Sequence, residues 1–285
     1  MVDNRQGGEQ RPARGGGPHR DQRGRDQRGG QRGQAPARSG PNRARRAQPQ
    51  AGGAGPRSAG GEGDRNRGPM IPPEIDAKQL APDVRRELTT LDRTTADTIA
   101  RHLVAAGELI DEDPEAALAH AQAARTRSGR IAAIREAVGI AAYRCGDWAQ
   151  ALAELRAARR MGSKSALLPL IADCERGVGR PERAIELARS AEAAALEGDD
   201  ADELRIVAAG ARADLGQLEQ ALAVLASPAP DPSRTGQTAA RLFYAYAEAL
   251  LALDRKDEAL QWFLHSGRAD VDGVTDAEER VSELA

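Results

Sequence analysis

Residues 146–158 read GDWAQALAELRAA. Four further windows follow the same plan: EDPEAALAHAQAA from Glu112, GRPERAIELARSA from Gly179, GQLEQALAVLASP from Gly216 and DRKDEALQWFLHS from Asp254. The Ala that recurs in each falls at Ala117, Ala151, Ala184, Ala221 and Ala259, so successive steps are 34, 33, 37 and 38 residues. A fixed period near that length marks stacked helix pairs, each unable to bury its apolar face alone. The reading predicts an all-α chain, an α-α superhelix of about five helix pairs preceded by a disordered tail.

Each unit reads as a first helix, a tight turn and a second helix carrying the Ala. The predicted pairs are 95–110 with 114–128, 129–145 with 147–161, 163–177 with 181–196, 201–215 with 218–226, and 238–253 with 256–266. Pro114 and Pro181 suit a first helical turn, where a missing N–H costs nothing. A Pro-rich loop at 227–236 supplies the extra residues behind the longest step. A leading helix is expected at 82–92 and a polar helix at 275–284, suited to capping the end of a stack. The domain reading is a tail over 1–72, a linker and leading helix over 73–94, the solenoid over 95–270 and a capping helix over 271–285.

Small residues recur because they let antiparallel helices approach. Gly139, Ala172, Ala209 and Ala247 occupy the first-helix place that faces these alanines, and Val138, Leu152, Leu155, Ile171, Leu222, Leu225 and Phe263 fill the space between.

Composition divides the chain. Residues 1–70 hold 17 of the 30 glycines and 15 arginines against six acids, with no Lys and no aromatic residue, a net charge of +9. The other 215 residues carry 26 basic and 37 acidic side chains, a net −11. Ordering a backbone costs roughly 1–2 kcal/mol per residue, and the tail has too little apolar surface to offset that. No stretch has the apolar core of a secretory signal or the length of a membrane span, so a cytoplasmic protein without membrane contact is expected. Cys145 and Cys174 read as small apolar residues of a reducing compartment.

The residues resemble tetratricopeptide repeats. That family places a small residue in the first helix, Gly at the turn, a large residue two positions on, then Ala, an aromatic or Leu, and Ala again. Gly139, Gly146, Trp148, Ala151, Leu155 and Ala158 match throughout. Gly179, Ala184, Gly216, Ala221, Ala117 and Ala259 keep parts of the pattern, whereas Glu112 and Pro114 depart from it in the first unit and Pro228 in the fourth. An Arg/Gly-rich tail ahead of such a solenoid is also similar to bacterial repeat proteins to which no activity attaches. The resemblance implies a concave face, lined by the first helices, that holds a peptide or another protein. On this phase the groove is expected to present Glu136, Ile140, Tyr143, Asp173, Arg176, Glu203, Ile206, Arg241, Tyr244 and Glu248, an acid-rich lining with Tyr143 and Tyr244 as aromatic anchors for a basic and apolar peptide. One subgroup clamps terminal carboxylates with Lys and Asn. Here the corresponding places hold Ile99, His102, Ala106, Ala133, Glu136, Ile140, Ala166, Pro169 and Asp173, which disfavours that ligand.

No nucleophile elbow, phosphate loop or metal-ligand spacing is present, so the chain reads as non-catalytic, with no cofactor and no metal. His19, His102, His120 and His265 read as exposed or capping. The Arg/Gly tail, with Arg14, Arg23, Arg25, Arg28 and Arg32, reads as a phosphate contact for RNA or ribosomes, and alternatively as a solvated linker. Arg156, Arg159, Arg160 and Lys164 form a second basic stripe at helical spacing, read as a further polyanion contact and alternatively as the wet face of a helix. The function expected is that of a protein-interaction adaptor, the alternative being a chaperone-like assembly factor with an inert tail.

Overall fold

The computed structural model describes residues 68–163 and 166–285. The expectations on residues 1–67, including Arg14, Arg23, Arg25, Arg28 and Arg32, and that on Lys164, lie outside them. The described residues contain twelve α-helices and no strand. A leading helix α1 (Pro82–Glu87) is followed by five pairs: α2 (Arg93–Leu109) with α3 (Pro114–Arg127), α4 (Ala132–Arg144) with α5 (Trp148–Arg160), α6 (Leu168–Gly177) with α7 (Pro181–Ala188), α8 (Gly198–Asp214) with α9 (Leu218–Leu225), and α10 (Gln237–Ala252) with α11 (Lys256–Ala269). α12 (Ala277–Leu284) closes the chain. No helix among the described residues is long and apolar enough to cross a membrane.

The recurrent alanines sit where helices touch. Ala117, Ala151, Ala158, Ala184 and Ala259 are fully buried, and Ala221 nearly so. Gly139 shows how close the approach is, since a Cβ there would lie 2.7 Å from the Leu155 side chain and 3.1 Å from its backbone N. Asp92, Asp113 and Asp147 start α2, α3 and α5 by accepting from the N–H groups of Thr95, Ala116 and Gln150. These satisfy donors that helix geometry leaves orphaned.

Three of the five turns share one closure. The N–H after the turn glycine bonds the carbonyl five residues back, Asp147 to Ala142, Arg180 to Glu175 and Gln217 to Arg212, with Gly146, Gly179 and Gly216 at φ 73, 76 and 71°. This is the Schellman arrangement, which needs the left-handed region that glycine enters freely. The fifth turn repeats it with Arg255 bonded to Leu250 and a non-glycine, Asp254, at φ 59°.

The third unit departs most from the sequence reading. α6 starts at Leu168, not 163, because Pro169 tolerates only a first-turn position. α7 stops at Ala188, although the residues after it are alanine-rich. Ser190 Oγ accepts from the Ala193 N–H and starts a short 3-10 turn over Ala193–Ala195. Ala193 and Leu196 then pack beside Leu204 of α8, so tertiary burial overrides helix propensity.

The expected tail boundary at 72 falls inside a packed segment. Ile71, Ile75 and Leu80 lie on Val104 and Ala105 of α2, and Arg101 Nε donates to the Ile75 carbonyl at 2.9 Å. Residues 68–81 thus form a strap along α2, and Glu87 Oε2 accepts from the Ala133 N–H to anchor α1 against α4.

Candidate partner-binding groove

The first helices of the pairs form one wall. α4, α6, α8 and α10 line a cavity of about 570 Å³ bordered by Ile140 and Tyr143, Pro169, Leu170 and Asp173, Asp200, Glu203 and Val207, and Gln237 and Arg241. Val274, from the loop before α12, closes its rim. Five of the ten expected residues meet in this space: Ile140, Tyr143, Asp173, Glu203 and Arg241. Arg176, Ile206, Tyr244 and Glu248 border a neighbouring, mostly apolar cavity of about 410 Å³ between α8 and α10. Glu136 lies with Ile140 in a third, of about 380 Å³, which the strap and α1 close from the other side through Leu80, Val84 and Glu87.

The wall is stitched by polar contacts between successive helices. Tyr143 Oη donates to Asp173 Oδ2 at 2.6 Å, and Arg176 Nη1 donates to Asp173 Oδ1 at 2.9 Å. Arg176 also reaches Asp214 with two bonds, at 2.8 and 3.2 Å. Arg241 pairs with Glu203 at 3.0 Å, and Arg280 of α12 with Glu248 at 2.9 Å. Gly210 makes room for this ladder, because a Cβ there would lie 2.6 Å from the Arg176 guanidinium carbon. The two tyrosines belong to the wall: Tyr143 meets Trp148 edge to face at 5.2 Å between ring centres and Tyr244 meets Phe263 at 5.2 Å. Burial, followed by the carboxylate of Asp173 for Tyr143 and of Asp276 for Tyr244, raises both phenols. Burial likewise raises the Glu203 carboxyl, against the lowering effect of Arg241. Asp200 is exposed and makes no ion pair among the described residues. It is the carboxylate at the groove mouth still open to a cation.

The frame of the first unit is different. Ile99, His102 and Ala106, placed on the concave face by the repeat phase, are buried at 0, 2 and 5% exposure. α1 and the strap cover them, with Leu80, Val84, Leu88 and Leu91 packed around Ile99. The open groove therefore begins at α4.

The basic stripe on α5 is committed internally. Arg156 pairs with the buried Glu175 and Arg159 with Glu192; Arg160 stays exposed. Sequence reasoning missed the buried acids that organise these arginines. Glu154 holds Arg125 and Arg135 at 3.0 and 2.9 Å, Glu175 holds Arg156 and Arg180, and Asp202 holds Arg205 and Arg234. A buried carboxylate left single would be strongly unfavourable, and two guanidinium partners offset that cost. The available signal was Glu154 itself, standing between Leu152 and Leu155 on the apolar face of its helix.

The histidines required a correction as well. His102 and His120 are buried against one another, not exposed. Both cysteines are free; Cys174 is buried, and burial pushes its thiol up to about 12. Among the described residues no group of three or more His, Cys, Asp or Glu side chains is placed to hold a metal ion.

A family model described as Tetratrico peptide repeat matches residues 171–272. The array is of the tetratricopeptide repeat type. The match spans the third to fifth pairs, and α4 with α5, which carry the fullest set of motif residues, repeat the same construction immediately before it. No curated protein matches the chain. The tetratricopeptide family supports a protein-interaction role in general.

Proposed function

We propose that the chain is a non-catalytic cytoplasmic adaptor whose tetratricopeptide groove, from α4 to α10, binds an extended segment of a protein partner bearing basic and apolar side chains. The observation that supports this is the shared cavity, in which four successive first helices contribute to one space. Ile140, Pro169, Leu170 and Val207 supply apolar contact, and the exposed Asp200 supplies negative charge, Glu203 being held by Arg241. Arg176 and Arg241 are already engaged with acids, so they hold the wall in shape rather than repel a cation. Charge reversal at the mouth, Asp200→Lys with Gln237→Lys, tests the reading because both residues are exposed. Partners recovered with the wild-type chain are expected to bind the variant at least tenfold more weakly. Unchanged recovery would move the site away from the groove.

The arginine-rich tail forms the second half of the proposal, a weak contact with RNA or ribosomes. Its +9 charge supports the idea, since each neutralised phosphate releases counterions and makes binding fall with salt. Full-length protein and a chain beginning at Gly68 can be compared on immobilised RNA at several salt concentrations. Retention confined to the full-length protein and lost at high salt is expected. Equal retention would favour a chaperone-like assembly factor that acts on proteins only, with the tail as a solubilising linker.

A further inference from the structure

His102 of α2 and His120 of α3 face each other with Nδ1 atoms 3.1 Å apart and ring centres 5.3 Å apart. They are 2% and 4% exposed. A neutral imidazole has one N–H and one bare nitrogen, so this contact requires one ring to donate and the other to accept. Protonating both would aim two N–H groups at each other and place two positive charges on buried rings. The surroundings add to that cost. α2 contributes Arg101 and α3 contributes Arg127, both cations, and no carboxylate from α2, α3, α4 or the strap acts on either ring. The strap lies on the same spot with backbone only, since a Cβ on Gly68 would be 2.8 Å from the Ala123 Cβ and 3.8 Å from the His102 ring.

We propose that the His102–His120 contact is a proton-sensitive latch for the N-terminal end of the array. While both rings are neutral the strap and the first helix pair stay closed, and protonation of the rings opens them ahead of the other four pairs. The opening is local because each unit of a repeat array contacts only its neighbours, and a terminal unit has a single interface to lose.

The direction follows from the chemistry. Burial, then Arg127, His120 and Arg101, lower His102 from 6.5 to about 4, and burial lowers His120. The neutral pair therefore contributes its full stability above pH 6.5 and loses it progressively as the pH falls from 6.5 toward 4. Between pH 7.5 and 5.0, His102 alone increases the opening constant of the first pair by about 25-fold.

Two measurements on the full-length protein test the latch: NMR titration of the histidine rings, and hydrogen exchange at pH 7.5 and 5.0 expressed as protection factors corrected for the intrinsic rate. His102 is expected to remain neutral below pH 5. Protection in α2 and α3 is expected to fall about 25-fold or more, while that in α8 to α11 changes less than about threefold. The variant His102→Gln with His120→Gln, whose amides keep a neutral contact, is expected to hold first-pair protection within about threefold between the two pH values. Should the variant not fold, the wild-type titration and exchange decide alone. Titration of both rings near 6.5, or a loss of protection spread evenly over all five pairs, overturns the proposal, as does a variant that keeps the 25-fold response.

Discussion

At its N-terminal end the array is covered by an extended strap and a six-residue helix, and at its C-terminal end by the eight-residue α12. The strap is apolar where it touches α2, through Ile71, Ile75 and Leu80, yet it lies over a buried polar pair. α12 buries Ala277 and packs Val281 and Leu284 beside Phe263, with the Arg280 guanidinium 5.4 Å from the Phe263 ring centre and bonded to Glu248. Its loop is fixed by Asp270, which accepts from the N–H groups of Val274 and Thr275 and from the Thr275 hydroxyl. Both ends hide apolar helix surface, but only the first seals in titratable nitrogen with no counter-charge. Capping a solenoid demands burial of an apolar face; what else is buried with that face decides whether the end responds to pH.

The largest expected effect lies at the C-terminal end. Phe263 is fully buried, so Phe263→Ala should cost about 3–5 kcal/mol in equilibrium denaturation. A loss below about 1 kcal/mol would mean that α12 and α11 close over the gap. Ile75 is 4% exposed, and Ile75→Ala should cost about 2–4 kcal/mol and sharpen the acid sensitivity of the first pair. Phe263 and Ile75 belong to separate apolar clusters, so in the double variant these losses should add within about 0.5 kcal/mol. A larger coupling term would make the ends one unit and break the contrast between them.

Smaller effects are expected within the array. Ala151→Leu overpacks the contact between α4 and α5 and should cost about 1–3 kcal/mol; a melting curve matching wild type would place Ala151 away from the interface. Asp254 adopts a left-handed conformation at a turn where three other units use glycine. Asp254→Gly should therefore stabilise the fifth pair by about 0.5–1 kcal/mol, and unchanged or reduced stability would show that the Asp side chain offsets its own strain.

Which residues share one cavity was partly legible because the repeat phase is local. Given Ala151 and Ala184, the residues that share a face on α4 and α6 follow from helical spacing, and Ile140, Tyr143 and Asp173 do meet in one cavity. The phase failed for Ile99 and His102, since the covering segment is supplied by α1 and the strap, which belong to no repeat. It also grouped Arg156 and Arg159 in a basic stripe, whereas the acids that hold them, Glu175 and Glu192, lie 19 and 33 residues away along the chain.

The helix-pair period, the alanine contacts and the glycine turns can be read from the sequence, because each depends on residues within one turn of helix or one hairpin. A side chain too large for the gap, or a backbone angle open chiefly to glycine, leaves a mark at a single position. Tertiary structure decided which titratable groups lose water and which partners they find. The neutral pairing of His102 with His120, the strap over them and the arginine-held acids Glu154, Glu175 and Asp202 each need elements brought together from separate stretches of chain. Their electrostatic cost arises only once packing has excluded solvent, so no local pattern announces it.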